Sequence, residues 1–388
     1  MSKYAITLKI LKPNKQYGSF FMKRRDFITK AGVAAGAGVV AASSLSTPAL
    51  ASKKVELNIV ATWGRDFPGL GTGAQRLAKR VQEVSGGEIV TKYFAAGEKV
   101  GAFDSFDEVA SGNSQAYHAA DYYWKGKHPG WAFFTSVPYG LTYTENAAWI
   151  HHMGGQQLWD KLAGSFGLKC LPAGNTGVQM GGWFKKEINT AEDLKGLKMR
   201  IPGLGGDVMA KVGVSPVSLP GGQIYENLMS GAIDACEWVG PWNDYAMKFY
   251  EAAEYYYYPG MHEPGGFNSF GFNAKFWNDL SETHKQVITA CSHEHNDYNA
   301  AEYNANNGTY LTKMIEEHGV KVRKFSDELY DTWAIGAKAV FEEVQAHSDL
   351  ANEIYTSFAK ARDDVGRWKN LSEGPYYEQR NRALGIES

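Results

Sequence analysis

Cysteine is scarce in this chain of 388 residues: Cys170, Cys236 and Cys291 are all there is, an odd number at wide spacing. That excludes a disulfide framework and a thiolate metal knot, and buried free thiols, with at most one incidental bridge, are the expectation. No GxSxG, HExxH or Walker loop occurs, which removes the common hydrolase and nucleotide-hydrolysing signatures. An excess of cations is missing too. The net charge of −2 is unevenly spread, because residues 1–51 hold eight Lys/Arg against one Asp. That stretch carries +7 and leaves −9 for the remainder. An acidic body is unsuited to nucleic acid, and an anionic ligand would need a local positive site. No apolar run reaches the ~20 residues that cross a bilayer, so the mature chain is expected to be soluble.

What is present begins with the leader. Residues 22–51 read MKRRDFITKAGVAAGAGVVAASSLSTPALA. A basic region containing Arg24-Arg25 precedes Phe27-Ile28, a weakly apolar Ala/Gly/Val stretch follows, and Ala49-Leu50-Ala51 supplies the small residues of a cleavage site. This is a twin-arginine export signal, which predicts a periplasmic protein starting near Ser52. Residues 1–21 fit no signal element and leave the start codon open between Met1 and Met22.

Along the mature chain, Val55–Thr62 reads as a strand, Ala74–Val84 repeats apolar residues at a helical period, and Glu88–Phe94 alternates as a second strand. This is a βαβ unit and implies a parallel sheet. Phe106–His118 (FDEVASGNSQAYH) and Tyr225–Glu237 (YENLMSGAIDACE) resemble one another, each a short helix ended by Ser-Gly with an Ala opening a new strand four residues on. Two lobes built alike, with a cleft between them, follow from that repetition. The division expected is 52–146 for the first part of lobe I, 147–236 for lobe II, 237–275 for crossing segments and 276–388 for a helical C-terminal region. Thr332–Arg367 within it is a candidate homodimer contact.

The run Gly69-Leu-Gly71-Thr-Gly73 spaces its glycines as GxGxG, without the acidic residue that a dinucleotide fold places after its second strand. A close approach of backbone to a small ligand is the better expectation. His151-His152 and His293-Glu-His295 invite a metal reading. Adjacent residues on a strand point apart, and i, i+2 residues occupy different sides of a helix, so solvated or locally hydrogen-bonded rings are expected.

Four blocks carry more: GNTGVQMGGWF, INTAEDLKGLKMR, DACEWVGPW and the YYYYPG of Tyr255–Gly260. Together they resemble the solute-binding subunits of tripartite ATP-independent periplasmic (TRAP) transporters, in the branch that takes 2-oxo monocarboxylates or lactate with a metal ion. The resemblance spans the mature chain and implies an α/β, two-lobed periplasmic binding protein with its ligand cleft between the lobes. It implies no enzyme activity, a small organic acid as ligand, membrane subunits as partners and no nucleic acid. It assigns Arg200, in Gly196-Leu-Lys-Met-Arg200, to the ligand carboxylate, which suits a planar guanidinium that stays charged when desolvated. Gln179 would contact both ligand and metal, Glu237 would chelate the ion, Trp238 would offer its carbonyl, and Glu263 falls where the branch places a further glutamate. Such oxygen donors suit Na⁺ or Ca²⁺. The apolar flanks of Glu237 in ACEWVGPW agree, since a buried carboxylate needs a partner.

Trp63, Tyr123 and Trp124 stand as the aromatic wall that limits the acid's length, and it is there that the chain departs from its relatives. Two alternatives remain. One is a TRAP receptor for a dicarboxylate, sugar acid or aromatic acid. The other is an exported enzyme using Glu237 or Glu263 as base.

Overall fold

A computed structural model of the protein describes residues 54–386; the leader and its arginine pair lie outside them. Eleven strands form two sheets. The first holds β1 (Val55–Ala61), β2 (Ile89–Phe94), β3 (Ala116–Ala119), β4 (Leu168–Asn175) and β10 (Phe267–Asn273), in the order β2-β1-β3-β10-β4. The second holds β5 (Gly182–Phe184), β6 (Lys198–Arg200), β7 (Ser215–Val217), β8 (Ala235–Cys236), β9 (Tyr255–Tyr258) and β11 (Lys321–Lys324), ordered β11-β9-β5-β8-β6-β7. The expected βαβ unit is present, with β1 pairing parallel to β2 across the helix Gly71–Val84. Both Ser-Gly repeats end their helices with glycine at positive φ, Gly112 at 83° and Gly231 at 77°. Each then feeds a strand whose neighbour is parallel, β3 beside β1 and β8 beside β6. A left-handed residue reverses the chain out of a helix without a Cβ clash, so the same six or so residues build the same turn twice.

Strand β4 belongs to the first sheet, so residues 147–236 contribute one strand there and four to the second. The chain therefore passes between sheets three times: after β4, after β9 and after β10. The third passage is the helix Glu282–His318, 37 residues long. Its buried polar residues satisfy backbone groups of the other segments. Asn296 Oδ1 accepts from Gly174 N at 3.1 Å, Asn299 Oδ1 accepts from Asn175 N at 3.2 Å, and Asn299 Nδ2 donates to Gly69 O at 3.0 Å.

The same helix explains the glycine run. A Cβ on Gly69 would lie 2.7 Å from the Tyr303 ring, and one on Gly71 would lie 2.2 Å from Gly64 O. Close packing of the chain on itself, rather than approach to a ligand, demands these glycines. The three cysteines are buried and free.

The C-terminal region is helical apart from β11, an unforeseen strand of four residues that pairs parallel to β9. The helices Asp327–His347 and Asp349–Lys369 bury Trp333, Phe341, Ile354 and Phe358 in the chain's own core. The buried apolar faces of these two helices are thus taken up within the chain, while their outer faces stay exposed. Ile335 on the first of them is 76% exposed, and further exposed apolar residues follow it, with Trp368 64% and Leu371 80% exposed and Tyr376 and Tyr377 on the helix Glu373–Leu384.

Asp121 fastens the first lobe together. It is wholly buried, and three donors converge on its carboxylate: the Tyr117 hydroxyl at 3.1 Å, the Trp159 indole at 2.9 Å and the Ser269 hydroxyl. Burial pushes its pKa up to about 7 against those three bonds. Asp121→Ala removes the acceptor from all three bonds, leaving the Trp159 indole with no partner and Ser269 and Tyr117 with only their longer contacts to Ala119 O and Cys170 Sγ, and should lower stability by about 2–4 kcal/mol. Urea unfolding followed by tryptophan fluorescence checks this, and an unchanged midpoint would refute it.

Candidate functional site

The first two passages between the sheets, 176–181 and 259–266, run side by side. Thr176 N donates to Gly266 O, Gln179 N to Glu263 O and Gly260 N to Gln179 O, each at 3.1 Å. This ladder sets the Gln179 side chain against Glu263, and its Nε2 donates to Glu263 Oε2 at 2.7 Å and to Thr176 Oγ1 at 2.9 Å. Gly266 is required here, since a Cβ would meet Thr176 Oγ1 at 2.6 Å and Gln179 Nε2 at 2.9 Å. With both amide hydrogens engaged, Gln179 Oε1 stays buried without a partner.

Strand register supplies the opposite side. Arg200 ends β6 and lies across from Cys236 of the parallel strand β8, and Glu237 N donates to Arg200 O at 3.1 Å. Arg200 and Glu237 are both fully buried. Arg200 Nη1 donates to Glu237 Oε1 and, at 3.0 Å, to Glu237 O, while Nε donates to Leu219 O at 3.1 Å. Its guanidinium carbon stands 5.1 Å from the centroid of the Trp238 ring. Nη2 is left buried and unpartnered. Burial opposes the charge, yet Glu237, with Tyr123, Tyr122 and Glu263, holds the guanidinium above its ordinary pKa.

The second oxygen of Glu237 accepts from His262 Nε2 at 3.1 Å. Ligand atoms of Glu237, His262 and Glu263 all lie within 4.8 Å of one another. Glu263 is pushed far above the usual carboxylate range, first by burial and then by the charge of Glu237. Two close buried carboxylates and an orphaned amide oxygen are a donor set that fits a hard cation. Glu237, Glu263 and Gln179 would hold the ion, with His262 orienting Glu237 from behind.

Gln179 and Glu263 line a small pocket beside these groups, whereas Arg200, Glu237 and His262 do not line it. Trp63, Tyr123, Gln179, Trp238 and Glu263, each a candidate named from the sequence, line it together with Leu70, Tyr122 and Asn268. Trp124 does not. In the 3₁₀ turn Asp121–Trp124 residues three apart share a side, so Trp124 follows Asp121 into the core, where it packs on Tyr117 and Phe106. Tyr122 takes the place assigned to it. His262 and Tyr122 each stand one residue from a named candidate. Their side chains had no pattern of their own to mark them.

The cavity is closed by contacts between the two sides. Trp238 meets Phe67 and Trp63 edge-on at 6.0 and 6.4 Å, and Asn243 Nδ2 donates to Pro68 O at 2.9 Å. Trp63 is oriented from behind by His118, whose Nδ1 accepts the indole N–H at 2.8 Å and whose Nε2 then donates to Ala173 O at 2.7 Å. This arrangement requires the neutral imidazole.

Comparison with known proteins is consistent with this geometry. Residues 61–356 match the DctP model, described as bacterial extracellular solute-binding protein, family 7. The chain is 37% identical over 358 residues to a monocarboxylate 2-oxoacid-binding periplasmic protein of Nostoc sp., covering 92% of this chain and 98% of that one. Two solved TRAP periplasmic solute-binding proteins superpose with TM-scores of 0.82. One, from Pseudoalteromonas atlantica, has bound sodium and pyruvate, is 37% identical, and is matched over 84% of this chain and 99% of its own. The other, from Colwellia psychrerythraea, has bound calcium and pyruvate, is 38% identical, and is matched over 84% and 100%.

Burial pushes the His118 pKa down to about 4, against the bond to Ala173. As pH falls, the unfolded chain takes up this proton first, near 6.5. The stability that neutral His118 contributes is therefore complete above pH 6.5 and is lost as pH falls towards 4. His118→Gln should flatten the fall in stability across that window, by up to about 1.4 kcal/mol per pH unit at its steepest. Urea midpoints measured from pH 7 to 4 check this, and parallel curves for the two proteins would contradict it.

Proposed function

This chain belongs to the DctP family, the bacterial extracellular solute-binding proteins of family 7, and on that premise we propose that it carries a small 2-oxo monocarboxylate such as pyruvate, or lactate, together with Na⁺ or Ca²⁺. The family is one of receptors, not enzymes, and its TRAP members hand their ligand to membrane subunits. The observation that carries the ligand reading is a pair of buried atoms lacking partners, Arg200 Nη2 and Gln179 Oε1. One is a charged donor suited to a carboxylate, the other an oxygen donor suited to a cation.

In this reading Arg200 binds the carboxylate through Nη2, and Gln179, Glu237, Glu263 and the Trp238 carbonyl hold the ion. Trp63, Tyr122 and Tyr123 limit the length of the acid. Arg200 can become bidentate only if Glu237 gives up Nη1, which a cation on Glu237 would favour. A monocarboxylate with both glutamates ionised exceeds Arg200 by two negative charges, which Ca²⁺ cancels and Na⁺ halves; burying net charge is unfavourable, so the count leans to Ca²⁺. A dicarboxylate would need a second cationic anchor besides Arg200, and among the described residues no Lys or Arg lines the pocket, Arg200 itself not being a lining residue.

The two lobes follow the two sheets, and export follows the twin-arginine signal in residues 22–51. A homodimer would form through the exposed apolar residues from Trp368 onward. Since the helix Asp349–Lys369 packs in the core, a truncation that tests this must fall beyond it. Removing residues 371–388 should yield a monomer that still binds ligand. Sedimentation of a full-length protein that is already monomeric would remove the idea.

Arg200→Ala should abolish binding of the acid, and Arg200→Lys should weaken it by about 1–3 kcal/mol by losing the planar fork. Calorimetric affinity near wild type in the alanine variant would overturn the assignment. Metal and acid should each raise the other's affinity by the same factor. Pyruvate titrated into chelator-treated, sodium-free protein should therefore bind more tightly once Ca²⁺ or Na⁺ is added. Equal affinities in all three conditions would mean that no cation takes part.

A further inference from the structure

Two histidines that the cleft does not use come together on the surface. His151 lies in the last turn of the helix Tyr143–His152, and His293 lies in the long helix Glu282–His318. Adjacency in sequence is not what pairs them. The His151 and His293 rings have centroids 4.8 Å apart with planes at 74°, whereas His151 and its neighbour His152 are 6.4 Å apart. Neither ring has a hydrogen-bond partner among the described residues, and both are open to solvent. Partial burial lowers the pKa of each, aided at His151 by His293 and His152, so both are neutral at pH 7 with a lone pair available. The groove they edge contains Lys169 and Lys285, but each is matched by an acid. Lys169 Nζ stands 2.5 Å from Asp160 Oδ1, and Lys285 Nζ 2.9 Å from Glu282 Oε1. An arriving cation therefore meets no unpaired positive charge there.

We propose that His151 and His293 form a second, surface metal site that takes a nitrogen-preferring divalent ion of the Zn²⁺, Ni²⁺ or Cu²⁺ class. Imidazole nitrogens favour these ions, while Na⁺ and Ca²⁺ require oxygen. Two imidazoles supply half of a tetrahedral set, and water supplies the rest. The ion links the end of one helix to the middle of another and stabilises the folded chain by mass action. This site stands apart from the cleft in both position and ligand type, so it does not depend on the identity of the acid.

The cleft is the competing location for such an ion, because His262 sits there beside Glu237 and Glu263. The test is therefore a calorimetric titration of Zn²⁺ into chelator-treated, full-length protein whose cleft is already filled with excess Ca²⁺ and pyruvate. One ion per chain should bind. His151→Gln and His293→Gln should each weaken that binding at least about tenfold, while leaving pyruvate affinity at the wild-type value as proof of folding. Electron paramagnetic resonance of Cu²⁺ bound under the same conditions should show two equatorial nitrogens, and one or none in each variant. Absence of zinc binding with the cleft filled, or equal affinity in wild type and both variants, would overturn the proposal.

Discussion

The ion pair between Arg200 and Glu237 is the constraint around which the site is organised. Both side chains are withdrawn from water completely, and two charges in that position are stable only with close geometry and further hydrogen bonds. Each element nearby supplies part of that requirement. Parallel strands β6 and β8 place the two residues side by side, Leu219 accepts from Nε, Trp238 offers its ring face, and His262 takes the far oxygen of the carboxylate. One guanidinium nitrogen is still unmatched. A ligand carboxylate arriving there would complete a network that the protein alone leaves short by one partner.

The site's position follows from topology. Gln179, His262 and Glu263 sit on two of the three segments that carry the chain between sheets, and these two are hydrogen-bonded to each other along their length. Gly260 and Gly266 allow that closeness, since a Cβ on either would press into the neighbouring segment. Two of the residues proposed to hold the ion, Gln179 and Glu263, thus lie on segments that join the two sheets. A cation held between Gln179 and Glu263 on one side and Glu237 on the other bears directly on how the lobes are disposed, which is what a closing receptor requires. The aromatic wall comes from the first lobe's turns, and Trp63 is held in it by the hydrogen bond to His118.

Parts of this were legible beforehand for clear reasons. The βαβ start and the two Ser-Gly repeats depend on local rules, period and left-handed glycine, which act within a dozen residues. Arg200 at a strand end and Glu237 between apolar neighbours were visible because charge in an apolar setting is anomalous in any fold. Other features depended on residues far away. The glycine run at 69–73 reads as ligand contact until Tyr303 and Gly64 are seen pressing on it. Tyr122 and Trp124 differ in sequence by two positions, and only the hand of the 3₁₀ turn decides which meets the cavity. Strand β11 and the burial of the helix Asp349–Lys369 were illegible for the same reason, since a short strand and an amphipathic helix do not name their neighbours.

Sequence alone determined the chemistry available to this protein: an acidic body, one arginine and several carboxylates in apolar settings, and too few cysteines for any covalent frame. Those are properties of residues and short spans, and they hold in whatever arrangement the chain takes. Tertiary structure decided which groups meet. It paired Arg200 with Glu237, brought His262 to the same carboxylate, left Gln179 Oε1 without a partner, and set His151 against His293 rather than His152. Each of these rests on distances between segments far apart in the chain, which are set by sheet order and crossing geometry and leave no local trace.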